Sequence, residues 1–255
     1  ERCFDGPEVR ANCIARKDGE HYVINGQKAA WVSNGSIADI AVLFCTLEPE
    51  RGFRGGCVIL VPLDLPGVDR PRPLDKIGQR SLNQGQIFFS EVRVPASHLV
   101  IGPDVYPFAL EGMLCHGNAG MSQLFIGVAR AALDHALDYA QERVQGGVPI
   151  GRHQSVRQRL FRMFMKVQAA RALARRTAVY LATNPPSLQH AIAAKVFSTS
   201  TAFEVASEAL QIFAGNGLTR EYPVEKLLRD ARASMIEDGC NEMLGLVAGA
   251  RLQGF

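Results

Sequence analysis

The chain has 255 residues, 47% apolar and 21% charged, enough to bury a sizeable core, and whole-chain disorder is excluded. Its 28 basic and 25 acidic residues leave a net charge of +3, too balanced for charge alone to indicate nucleic-acid binding. Six scattered cysteines (Cys3, Cys13, Cys45, Cys57, Cys115 and Cys240) show no Cys-x-x-Cys spacing and no Cys/His cluster. That pattern argues against a metal site or a disulfide framework and fits a reducing compartment, so a cytoplasmic setting is expected, or the mitochondrial matrix in a eukaryote.

Up to Pro103, short apolar runs at 21–24, 40–45, 57–61, 86–89 and 92–94 are rich in Tyr, Val, Ile and Phe. Asn25-Gly26, Asn34-Gly35 and Pro66-Gly67 mark turns between them, which predicts an antiparallel barrel or sandwich. After Pro107 the texture becomes helical. Residues 110–144 form one periodic segment, stopped by the Gly-Gly-Val-Pro break at 146–149. A second helix is expected over 154–182, ending at Asn184-Pro185-Pro186, and a third over 188–213 with Ser187 as its N-cap. Short helices follow at 223–231 and 242–252. The expected fold class is α+β: a β-domain over 1–104, then a four-helix bundle over 105–255.

The two longest uncharged stretches, 112–129 and 177–194, are interrupted by glycines, polar residues or prolines, so no membrane span is expected. The chain opens on Glu1, as a fragment, a processed chain or one piece of a split protein would. Between Arg143 and Phe203 there is no acidic residue against ten basic ones: Arg143, Arg152, Arg157, Arg159, Arg162, Lys166, Arg171, Arg175, Arg176 and Lys195. Such a run is either a solvated helix face or a field for a phosphorylated ligand or an acidic partner. Aromatic residues are not interleaved for base stacking, so nucleic acid is not expected. Cys115-His116 invites a thiolate reading, but adjacent helical residues point about 100° apart and buried structural roles fit better.

Five segments in order carry a resemblance: 25–35 (NGQKAAWVSNG), 77–81 (IGQRS), 91–95 (EVRVP), 143–150 (RVQGGVPI) with Gln154, and 210–230 (LQIFAGNGLTREYPVEKLLRD). They closely resemble the acyl-CoA dehydrogenase family, specifically its middle β-domain and C-terminal helical domain; the family's N-terminal helical domain has no counterpart. The resemblance implies FAD as cofactor, often bridging subunits of a tetramer. It also implies that Trp31 and Ser33 touch the flavin, with Cys240 and Glu242 standing at positions near the cofactor. Arg143, Gln145, Gln154, Gln211 and Gly215 would hold the adenosine and pyrophosphate end. Arg143 offers a planar, permanently charged fork for a phosphate. Trp31 without its neighbours would read as a core aromatic.

The catalytic base of many family members is a Glu in a Tyr-Glu-Gly-Thr-like turn. Here Gly239 anchors the segment 236–242 (IEDGCNE) and puts Asp238 at that position, shorter in reach by about 1.3 Å. Asp at this position resembles relatives acting on cyclic acyl thioesters and the nitroalkane oxidases; an Asp is also suited to capping the last helix. Other departures are Cys240 for a Thr, Gly146 for an aromatic, Asn118 for an Arg, and a poor match at 1–9 to a Gly-Ser-Asp loop. The implied function is α,β-dehydrogenation of an acyl-CoA or acyl-carrier thioester. Electrons would leave to an electron-transfer flavoprotein or similar acceptor, in a homo-oligomer or a hetero-oligomer whose second chain supplies the missing domain. A flavin oxidase of the nitroalkane type and a non-catalytic subunit completing a partner's site are the alternatives.

Overall fold

The computed structural model describes residues 12–253, so the 1–9 stretch and Cys3 lie outside the described residues. The chain forms two compact units, Glu1–Lys76 with Arg80–Glu111, and Ile77–Gln79 with Gly112–Phe255.

The first unit is strand-rich. It contains β1 (Cys13–Asp18), β2 (His21–Ser33), β3 (Ile40–Thr46), β4 (Gly56–Pro62), β5 (Val68–Asp69), β6 (Gln84–Pro95) and β7 (Leu99–Ile101). They make one seven-stranded sheet in the order β5-β6-β2-β1-β3-β4-β7, antiparallel except where Ile14 of β1 pairs in parallel with Thr46 of β3. Ile24, Leu43, Ile59, Val61, Ile87, Phe89, Val92 and Val94 share one buried cluster. Side chains of β1, β2, β3, β4 and β6 join in that cluster, which is the core of this unit. Each fully buried aliphatic side chain of this set contributes about 1.5–3 kcal/mol. Cys45 and Cys57 face each other across β3 and β4 as free thiols, their Sγ atoms 3.5 Å apart.

The turn expected at Asn25-Gly26 is instead a bulge within the continuous strand β2. Gly26 has φ +121, and a Cβ there would lie 2.1 Å from the Asn12 carbonyl oxygen. Opposite it, Glu91 bends β6 with φ 52; the Asn25 amide donates to the Glu91 carboxylate at 2.6 Å, and the Glu91 backbone N–H donates to Asn25 Oδ1 at 2.9 Å. The bend explains why 86–89 and 92–94, separate runs in the sequence, are one strand.

Five α-helices make up most of the second unit: α1 (Tyr106–Glu142, whose first turns belong to the first unit), α2 (Gln154–Thr183), α3 (Leu188–Phe213), α4 (Val224–Ser234) and α5 (Asn241–Leu252). Helix α1 starts ahead of the expected position because Pro107 sits in its first turn, where no backbone N–H is needed. Between α1 and α2 a small hairpin, β8 (Val144–Gln145) and β9 (Val148–Pro149), turns on Gly146 and Gly147. Their φ values of 62° and 79° are the two left-handed positions that a type I′ turn requires. Side chains of α1, α2, α3 and α4 share the main core, among them Phe125, Leu133, Met163, Val205, Phe213 and Val224. Leu244 of α5 packs with Cys115, Leu188 and Ile192 in a second cluster. Ser187 occupies the N-cap position of α3, but its hydroxyl bonds His190 Nδ1 at 2.6 Å and makes no capping bond.

Residues 77–79 join this helical unit by close backbone contact. A Cβ on Gly78 would stand 2.2 Å from the Arg229 carbonyl oxygen. The Gln79 backbone N–H donates to Asp230 Oδ1 at 2.5 Å, its side-chain amide donates to Glu237, and Arg229 Nη1 donates to the Ile77 carbonyl at 2.5 Å.

Two glycines therefore test the fold locally. Gly26→Ala combines a left-handed φ with a clash and should destabilise the first unit by roughly 1–3 kcal/mol, read as a lower thermal midpoint. Gly78→Ala should lift 77–79 off α4, accelerating hydrogen exchange at the Gln79 amide while leaving the sheet's own amides protected.

Candidate active site

In the second unit, the end of α1, the β8–β9 hairpin, the start of α2 and the end of α3 enclose a cavity of about 540 Å³. Arg143, Gln145, Gln211 and Gly215 line it, together with Tyr139, His153 and Asn216. Backbone bonds flanking the hairpin hold Arg143 in place: the Ile150 N–H donates to the Arg143 carbonyl at 2.8 Å, and the Arg143 N–H donates to the Tyr139 carbonyl at 2.9 Å. His153 Nε2 reaches the Gln145 carbonyl at 3.1 Å. Gln154 is the exposed first residue of α2, one position before the cavity-lining Ser155.

On one side of the cavity are aromatic rings. Tyr139 stacks on Phe213 with centroids 4.0 Å apart, Tyr222 meets both edge-on, and Asn216 Nδ2 donates to the Tyr139 hydroxyl at 2.9 Å. Helix α3 ends at Ala214, whose φ of 53° is an unusual conformation for a residue with a Cβ. A Cβ on Gly215 would meet nothing within 4 Å, whereas one on Gly217 would lie 2.6 Å from the Leu210 carbonyl oxygen. Gly217 is thus required by packing inside the chain, and Gly215 is not.

The charge run is neutralised locally in part. Two glutamates of α3, just past the end of the acid-free stretch, pair with α2: Arg159 with Glu208 at 2.7 Å, and Lys166 with Glu204. Arg143 makes no ion pair among the described residues, so the cavity keeps a fixed positive charge.

Asp238 lies on the turn between α4 and α5. The Glu237 N–H returns to the Ala233 carbonyl at 3.1 Å and the Asn241 N–H to the Met235 carbonyl at 2.9 Å, which closes the turn. Asp238 and Gly239 take φ values of 49° and 93°. The Asp238 side chain is exposed, while the half-buried Glu237 carboxylate accepts the Gln79 amide. The helix-capping role open to Asp238 is not used: Cys240 is the N-cap residue of α5, with no side-chain capping bond. Glu242 is exposed in the first turn of α5. Beneath the turn lies Lys195 of α3, fully buried; desolvation lowers its pKa, opposed by the charges of Asp238, Glu237, Cys240 and Glu242.

Trp31 and Ser33 sit two positions apart on β2, in the first unit, both exposed. At 62% exposure Trp31 is not a core aromatic. Cys115 is buried in the apolar cluster of α5, and exposed His116 bonds the Gly112 carbonyl at 2.7 Å, so the two do not act together. Tyr139 and Asn216 went unnoticed in the sequence; a signal existed, a Tyr one turn before Arg143 and an Asn between the two glycines of 214–217. Among the described residues no helix is long and apolar enough to cross a membrane.

The domain model of the acyl-CoA dehydrogenase C-terminal domain matches residues 108–253, and that of the middle domain residues 5–92. The chain is 35% identical to the probable acyl-CoA dehydrogenase YngJ of Bacillus subtilis, over 93% of this chain and 63% of that protein. It is 33% identical to the cyclohex-1-ene-1-carbonyl-CoA dehydrogenase of Syntrophus aciditrophicus, over 93% of this chain and 58% of that protein. The butyryl-CoA dehydrogenase of Megasphaera elsdenii superposes with a TM-score of 0.89 at 32% identity, covering 95% of this chain and 63% of that one. The chain therefore spans about three fifths of the length of these relatives. Its helical unit, matched by one domain model over more than half of the sequence, and the matching β-domain ahead of it assign this chain to the acyl-CoA dehydrogenase family.

Proposed function

We propose that this chain is the flavin-binding and base-bearing part of an FAD-dependent acyl-CoA dehydrogenase. The observation that carries the reading is the cavity that gathers Arg143, Gln145, Gln211 and Gly215. Its chemistry suits the pyrophosphate and adenosine end of FAD: one permanent cation without an internal partner, two side-chain amides, an aromatic side, and an open glycine where the backbone admits close approach. The remaining roles rest on the family resemblance: Gln154 as a further donor, Trp31 and Ser33 of the first unit as flavin contacts, and Cys240 and Glu242 of the second unit at positions near the cofactor. A flavin bridging the subunits of a tetramer, and electrons leaving to an electron-transfer flavoprotein, complete the reading.

When bound, FAD supplies N5 as the acceptor of the hydride that leaves the β-carbon. The chain's own work is on the α-carbon. Asp238 removes the α-proton of the acyl thioester, and loss of the β-hydrogen with its electron pair leaves a Cα–Cβ double bond. An exposed carboxylate on a closed turn suits this task; Glu237, held by Gln79, does not present a free one. As the proton leaves, charge grows on the thioester oxygen, and the Asp238 backbone N–H is the donor this turn offers it.

Arg143→Ala should lower FAD affinity about 10- to 100-fold, the loss of a hydrogen bond to a charged group worth roughly 1.5–3 kcal/mol, as read by titration of the apoprotein. Asp238→Asn should hold FAD normally yet reduce it with acyl-CoA at least about 10²-fold more slowly in stopped-flow absorbance. Glu237→Gln should be the milder variant; the reverse order would shift the base by one position.

A further inference from the structure

We propose that Lys195 is the positioning residue of the catalytic turn: its buried ammonium grips Gly239 and Asn241 and so fixes where Asp238 stands. This rests on the reading of Asp238 as the base. Lys195 is completely buried and heads the fully buried side chains of the described residues by volume. Lysine is almost never buried without partners, so the position needs a reason.

The partners are unusual. Lys195 Nζ donates to the Gly239 carbonyl at 2.7 Å and to Asn241 Oδ1 at 2.9 Å, both on the turn. It forms no salt bridge among the described residues, although Glu237, Asp238 and Glu242 all act on it electrostatically. Its hydrogen bonds are therefore spent on neutral acceptors that set backbone position, while its charge stays under the carboxylates above.

The grip extends along α3. Asn241 Nδ2 donates to Thr199 Oγ1 at 3.1 Å and to Ser200 Oγ at 3.4 Å, and Thr199 Oγ1 donates back to the Lys195 carbonyl at 2.9 Å. One stretch of α3 thus holds the first residue of α5 and the carbonyl just after Asp238. The held segment needs holding: Asp238 and Gly239 are consecutive residues with positive φ, and Asp238 carries a Cβ. Such conformations persist only where the surroundings over-determine them. A base displaced by about 1 Å can lose 10²-fold in rate, so a tether of this kind acts on turnover and not on cofactor or substrate binding.

The test uses Lys195→Met in the FAD-loaded protein, because methionine keeps much of the stem and drops the ammonium. Expected are unchanged FAD content, KM for acyl-CoA within a few-fold, a flavin-reduction rate at least about 10-fold lower, and faster hydrogen exchange confined to 236–241. Should the methionine variant not fold, the Asn241 pair decides: Asn241→Leu removes one acceptor from Lys195 and should slow reduction, and Asn241→Asp, which restores it, should recover most of the rate. Lys195→Met with wild-type reduction and exchange overturns the proposal. So does a rate loss that comes with lost FAD or a raised KM, or an Asn241→Asp as slow as Asn241→Leu. If Asp238→Asn reduces flavin as fast as wild type, the base assignment itself is what fails.

Discussion

Helix α3 has to be thin. Its small residues Ala191, Ala202, Ala206 and Ala209 are all buried, and through them α3 shares clusters with α1, α2, α4 and α5. Methyl groups in place of longer side chains let neighbouring backbones approach closely, and the interior closes around them. The cavity at its end and the turn between α4 and α5 both depend on this helix: its C-terminal end supplies Gln211 and the 214–217 turn, and its middle supplies the buried Lys195. A helix with more bulk would displace both neighbourhoods together.

Charge is organised around the same helix. Glu204 and Glu208 answer Lys166 and Arg159 on α2, and on an exposed surface such pairs contribute little to stability. Their consequence is electrostatic sorting. Arg159, which also lines the cavity, is occupied by Glu208, and Arg143 is left with its charge available. Around the turn between α4 and α5 the arrangement is inverted, with three carboxylates acting on one buried ammonium. The surroundings bond to the turn's backbone and leave the Asp238 carboxylate exposed, as the proposed role of Asp238 as base requires.

Helices were legible in the sequence because their apolar period and their stop signals agree; Asn184-Pro185-Pro186 follows directly on the end of α2, whereas Gly146-Gly147 turns a hairpin and α1 already ends at Glu142, two residues before the expected end. Strands were legible where runs were apolar, as in β4. Strand β1 was not, since Arg16, Lys17 and Asp18 obscure the buried alternation of Cys13 and Ala15. Asn25-Gly26 carried a turn signal, yet the same left-handed glycine serves a bulge when a facing strand bends with it. Arg143, Gln145, Gln211 and Gly215, which line one cavity, were grouped through the family's motifs; spacing alone would not have joined residues about 70 positions apart. Lys195 was counted only as one more charge, although a lone lysine among Ala, Val and Phe already hints at burial.

The chemistry is tested most directly by mixing the FAD-loaded protein anaerobically with acyl-CoA thioesters of graded chain length and ring shape, followed by product analysis. The oxidised flavin band should bleach with at least one thioester, and an equal amount of the α,β-unsaturated thioester should be recovered. A protein that holds FAD and keeps its oxidised band with every thioester would contradict the assignment.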